Sequence, residues 1–120
     1  MLALVVDDSP TMRNMVKVAL EGIGFDVATA QDGKRAIKIL GNKNMDVIVT
    51  DINMPNMNGY EFIREIRSNG SYKTVPILIL TTECTAEAKA KGKAAGASGW
   101  IVKPFKPDVL VNAVGRVCSL

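Results

Sequence analysis

Five apolar runs punctuate the chain, at Leu2–Val6, Phe25–Ala30, Asp46–Thr50, Pro76–Leu80 and Gly99–Val102. Between them, apolar residues recur every three or four positions, the spacing of a helix that hides one face. Strand and helix therefore alternate from one end to the other. That is the pattern of βα units joined into a parallel sheet with helices on both faces. The prediction is an α/β protein built on a five-stranded, doubly wound parallel sheet with five helices.

Local chemistry marks the boundaries. Ser9-Pro10 supplies an N-cap and a proline at the first helical position, and the helix that follows turns Met12, Met15, Val16, Ala19 and Leu20 inward before stopping at Gly22 or Gly24. Phe25–Ala30 is shorter of apolar residues than the other runs, which predicts an edge strand. Asp32 caps a second helix with Ala36, Ile37 and Leu40 inside, closed by Gly41-Asn42. Asp46–Thr50 is apolar enough to be covered on both faces, and it ends in Asp51 just before Met54-Pro55 breaks the chain. Asn58-Gly59 opens a third helix, with Phe62, Ile63 and Ile66 on its core side, and Asn69-Gly70 ends it.

The fourth helix, from Thr85 or Ala86 to Ala95, can bury little but alanine methyls, and Gly92 inside it costs about 1 kcal/mol relative to alanine. Few apolar contacts hold it, so it is expected at the low-stability end of the domain. A last helix starts at Pro107 and packs Leu110, Ala113, Val114 and Val117.

Length and composition narrow the classes. A chain of 120 residues is one ordinary domain, able to bury roughly two thirds of its unfolded surface; residues 1–120 are read as a single unit with no output domain. It is 48% hydrophobic and 22% charged, with no apolar run near the ~20 residues that span a bilayer. Leu2–Val6 runs straight into Asp7-Asp8 and is no signal peptide. The expectation is a cytoplasmic monomer with no membrane partner. Net charge +3 and a pI near 9.0 come without any run of adjacent basic residues, so no nucleic-acid partner is expected either. Cys84 and Cys118 have no CxxC spacing and there is no histidine, which makes both free thiols. One local bias stands out: from Glu83 to Lys106, five lysines (89, 91, 93, 103, 106) oppose two glutamates (83, 87).

In a parallel sheet all strands point one way, and ligands bind in the crevice beyond their C-terminal ends. That edge collects Asp7 and Asp8 after the first strand, Asp51 after the third, Thr81 after the fourth and Lys103 after the fifth. Singly, each is a commonplace helix cap, strand terminator or loop lysine. Together they form a constellation. Three converging carboxylates repel, so one must take a proton or a cation must join them. Mg²⁺, or Mn²⁺ in its place, suits such hard oxygen ligands. A metal, a lysine and a hydroxyl around a carboxylate nucleophile are the parts of phosphoryl transfer through an aspartyl phosphate. Asp51 is the candidate nucleophile, with Asp7 and Asp8 on one side and Thr81 and Lys103 on the other.

Four segments carry a family resemblance: Val5-Val6-Asp7-Asp8-Ser9; Asp51 through Gly59; Leu80-Thr81-Thr82-Glu83; and Gly96 through Phe105. Over essentially its whole length the chain resembles a response-regulator receiver domain, most of all the single-domain receivers of chemotaxis. The resemblance implies the flavodoxin-like strand order 2-1-3-4-5. It implies that Asp51 accepts a phosphoryl group from a histidine kinase, with Asp7, Asp8, Asp51 and the backbone oxygen of Asn53 around Mg²⁺. Lys103 would pair with the phosphoryl oxygen, its bond to Pro104 cis, and Thr81 would turn its hydroxyl toward the phosphoryl group. The aromatic at position 100 would then swing inward, reshaping the surface of helix four, strand five and helix five for a downstream target such as a flagellar motor switch protein. A dedicated phosphatase is a further possible partner.

This chain departs from the family at two positions: the switch aromatic, usually tyrosine or phenylalanine, is Trp100, and Thr82 stands where alanine is common. Trp100 either follows Thr81 or is a half-buried core residue with its N–H near water. The activity expected is stoichiometric acceptance of phosphate, with self-phosphorylation from small donors and slow loss, and no enzymatic turnover. A role as phosphorelay intermediate or phosphate sink is the alternative. A haloacid-dehalogenase-type phosphatase needs an aspartate two residues past the nucleophile, where Asn53 stands; a flavodoxin-like cofactor would meet Asp7-Asp8 where it needs a phosphate loop.

Overall fold

The computed structural model describes residues 1–41 and 43–118. Among them, strands β1 (Leu2–Val6), β2 (Asp26–Ala30), β3 (Val47–Thr50), β4 (Ile77–Thr81) and β5 (Gly99–Val102) form one sheet, with helices α1 (Pro10–Glu21), α2 (Gly33–Leu40), α3 (Gly59–Arg67), α4 (Ala86–Ala95) and α5 (Pro107–Val117) between and after them. Every pairing is parallel and the order is β2-β1-β3-β4-β5. The polar β2 is indeed an edge, paired with β1 alone.

Alternation along the strands makes two cores. Leu4, Val6, Ile48, Ile77 and Ile79 point toward α2, α3 and α4, where Phe62, Ile63 and Ile66 bury. Ala3, Val5, Val47, Val49, Leu78 and Leu80 point the other way, onto Val16 and Leu20 of α1 and Leu110 and Val114 of α5. With β3 and β4 buried along their whole length, the central strands have no solvent face. Their C-terminal ends are fixed from both sides. No helix among the described residues is long and apolar enough to cross a membrane.

Several boundaries move. Phe25 precedes β2 and is buried in the α1–α5 core instead of opening the strand. Asp46 precedes β3, and its carboxylate accepts the Leu2 N–H at 2.6 Å. Pro76 has no N–H for the ladder, so β4 starts at Ile77 and runs one residue further than expected, ending in Thr81 paired with Val102. Helix α1 has Gly22 as its C-cap, and the reversal to positive φ comes at Gly24. Met15 is on the solvent side of α1, a helical position that its hydrophobicity mis-assigns. Helix α3 ends at Arg67, and Asn69 caps a separate 3₁₀ turn, Gly70–Tyr72. Gly41 follows α2; its expected companion Asn42 lies outside the described residues.

Candidate functional site

The site lies where β1 and β3 end. Asp7 is held from three directions: its N–H donates to the Ala30 carbonyl at 3.1 Å, its carbonyl accepts the Arg13 guanidinium at 2.7 Å, and Oδ1 accepts the Ser9 N–H at 2.9 Å. Asp51 is fixed similarly. Its N–H donates to the Val6 carbonyl at 2.9 Å, its carbonyl accepts the Thr50 hydroxyl at 2.8 Å, and Oδ1 accepts the Ile52 N–H at 2.6 Å. Both carboxylates are buried, whereas Asp8 is exposed. Asp7, Asp8 and Asp51 each offer an oxygen, and these oxygens lie within 4.8 Å of one another.

Lys103 follows β5, anchored by its N–H to the Thr81 carbonyl at 2.8 Å, and the Lys103–Pro104 peptide is cis. Its ammonium reaches back across β4 to Asp7 Oδ2 at 2.7 Å and Asp51 Oδ2 at 2.9 Å. Lys103 comes from the side of Asp51 opposite to Asp7, as the order of the strand ends suggested, and its ammonium bridges the two carboxylates. A lysine side chain is long enough to reach past β4 and β3 to the end of β1.

Burial and charge oppose each other in the titration of Asp7 and Lys103. Burial pushes the Asp7 carboxyl up, and it outweighs the downward pull of Lys103 and the Ser9 N–H. Burial alone would push Lys103 down, but its bonds to Asp7 and Asp51 prevail and hold the ammonium above its ordinary value. One ammonium thus serves a cluster of three carboxylates, touching two of them, and burial still holds the Asp7 carboxyl above its ordinary value. An all-oxygen, net-negative cluster of this kind fits a hard divalent cation such as Mg²⁺.

Thr81 is fully buried, and its hydroxyl accepts the Glu83 N–H at 3.4 Å, so it is turned to its own loop. Trp100 is half-buried, and its indole N–H donates to the Glu83 carbonyl at 3.1 Å. Thr81 and Trp100 thus engage opposite polar ends of one residue. Asn53 is exposed on the loop after β3 and lines an open cleft with Tyr60, Glu83, Glu87 and Lys91. Thr82 is exposed. Sequence reasoning missed Arg13, whose guanidinium fixes the Asp7 backbone, and Asn56, which adopts φ 69° in the loop that carries Asn53. A basic residue one helical turn into α1 was the available signal for the first.

A family model of the response regulator receiver domain matches residues 3–115, and the chain belongs to that family. Within it the likeness is to CheY. Chemotaxis protein CheY of Pseudomonas aeruginosa is 37% identical over 118 residues, which cover 98% of this chain and 95% of that protein. The structure of the chemotaxis response regulator CheY4 of Vibrio cholerae matches with a TM-score of 0.92 at 46% identity, over 97% of each chain. The receiver domain of a sensor histidine kinase from Pseudomonas aeruginosa, solved with a magnesium ion coordinated in its active-site cleft, matches with a TM-score of 0.91 at 28% identity, over 99% of this chain and 98% of that one.

Proposed function

We propose that this chain is a stand-alone receiver that takes a phosphoryl group on Asp51 from a histidine kinase and acts in chemotactic signalling. The observation that carries the reading is the triangle of Asp7, Asp51 and Lys103, closed by contacts of 2.7 and 2.9 Å next to exposed Asp8. The names of the CheY relatives, and their near-equal length to this chain, support the chemotaxis role and the single-domain reading.

Asp51 Oδ2 attacks the phosphorus of a phosphohistidine or small acyl phosphate; the new O–P bond forms as the bond to the donor breaks, and the donor leaves with the electron pair. Asp7, Asp8, Asp51 and the Asn53 carbonyl would hold Mg²⁺, which supplies neutralisation of charge on the phosphoryl oxygens. Lys103, already donating to Asp51, turns one of its N–H donors to a phosphoryl oxygen. Thr81 turns from the Glu83 N–H to another. Freed of that bond, the Glu83 loop and the indole fastened to it can shift together, altering the lysine-rich face of α4, β5 and α5 that meets the downstream target.

Intact-mass measurement after incubation with acetyl phosphate and Mg²⁺ checks this. One phosphoryl group is expected on the wild type and none on Asp51→Asn; an equally labelled Asp51→Asn protein overturns the assignment.

A further inference from the structure

The loop from Ile52 to Gly59 carries Asn53, whose carbonyl is a proposed metal ligand two residues beyond Asp51 and outside every strand. Its base is closed tightly: the Gly59 N–H donates to the Ile52 carbonyl at 2.9 Å, and a Cβ at Gly59 would collide with the Asp51 carbonyl and stand 2.8 Å from Ile52 Cα. Its apex is Asn56, the one non-glycine residue with positive φ among those described. Asparagine tolerates that conformation better than other side chains, but does not by itself fix it.

What fixes it comes from another part of the sheet edge. Asp32, the buried N-cap of α2, accepts the Arg35 N–H on Oδ1 at 2.8 Å and the Asn56 side-chain amide N–H on Oδ2 at 3.0 Å. Beside that bond Met57 lies against Gly33, where a Cβ would stand only 3.0 Å from Met57 Cγ and Sδ. The loop is thus pinned at its base by β3 and at its apex by the start of α2. Asn53 lies between the two pins.

We infer that Asp32 is a positioning residue for the metal site: by holding the Asn56 amide it sets the path of the loop that aims the Asn53 carbonyl. This rests on the receiver reading of the site. Asp32 touches neither metal nor phosphoryl group, and its two oxygens divide the work, one capping a helix and the other tying a loop. A serine can do the first but is too short for the second.

Calorimetric Mg²⁺ titration with thermal unfolding of the same samples tests the division. Asp32→Ser should keep a near wild-type Tm while the Mg²⁺ Kd rises about tenfold, the low end of what loss of a supporting hydrogen bond does to a metal site. Asn56→Gly, which keeps the backbone conformation but lacks the amide, should weaken Mg²⁺ to a similar degree. The double variant should be no weaker than either single one. Unchanged Kd in Asp32→Ser and Asn56→Gly, with a wild type that binds, overturns the positioning role alone. A wild type that takes up no Mg²⁺ overturns the receiver reading on which it stands.

Discussion

Helices α3 and α4 cover the same face of the sheet and are held by opposite means. Helix α3 drives Phe62, Ile63 and Ile66 into the core and closes its N-terminus with a reciprocal capping box between Asn58 and Glu61. Helix α4 buries only Ala88, Gly92 and Ala95, and at Gly92 the Trp100 ring and Ile79 come so close that a Cβ would stand 2.7 Å and 2.8 Å from them. What apolar area fails to supply, directed hydrogen bonds replace. The Tyr60 hydroxyl of α3 donates to the Ala88 carbonyl at 3.1 Å, and the Arg67 guanidinium of α3 donates twice to the Gly96 carbonyl, at 3.0 and 2.8 Å. Helix α4 hangs from α3 at both ends. A few directional bonds can break and remake as a unit where a packed core cannot, which suits α4 to a two-position element.

Removing the apolar anchor should hit hardest and should be global. Phe62→Ala is expected to lower unfolding free energy by about 4 kcal/mol in urea titrations, the range for emptying a buried aromatic site, with all amides of the sheet losing protection together. A loss confined to α3 would mean that α3 does not anchor the core.

Cutting the clamp at the far end of α4 should act differently. Arg67 also donates to the Tyr72 carbonyl at 2.7 Å, so Arg67→Met leaves two carbonyls without their charged donor while keeping the aliphatic stem. About 2 kcal/mol is expected, from the loss of hydrogen bonds to a charged group. Hydrogen exchange should concentrate the effect in Ala86–Ala95 and the turn after it. Uniform loss of protection would show that α4 is part of the same cooperative unit as α3.

How far the sequence reveals this contrast depends on what holds each element. Phe62, Ile63 and Ile66 announce α3's inner face by period, and the alanine-and-glycine make-up of α4 already marks it as thinly packed. The carboxylates, Thr81 and Lys103 also fall out of strand ends in a parallel sheet, because topology alone brings those ends to one edge. Long polar side chains acting at a distance are another matter. Lys103 crossing β4, Arg67 reaching Gly96, Trp100 finding the Glu83 carbonyl and Asp32 finding Asn56 all depend on rotamers and on helix placement that no period encodes. Even Met15, apolar and at the right spacing, faces solvent, since α1's inner stripe is narrow enough to be filled by Val16 and Leu20.

The mildest intervention tests the clamp nearest the site. Burial first, and the charge of Glu83 second, push the Tyr60 phenol above its ordinary value. Its folded pKa therefore exceeds its unfolded one, so its contribution to stability is complete below about pH 10 and is lost as pH rises through the folded pKa. Ionisation leaves an oxygen that no longer donates to the Ala88 carbonyl, and the α3–α4 bond goes with the proton. Tyr60→Phe removes the hydroxyl at all pH values and should cost about 1 kcal/mol or less, as for a single partly exposed neutral hydrogen bond. Between pH 9 and 11 the wild type should lose stability faster than Tyr60→Phe, the two curves converging as the phenol ionises. Parallel curves would show that the hydroxyl does not hold α4, leaving Arg67 and the Trp100 contact as its fastenings.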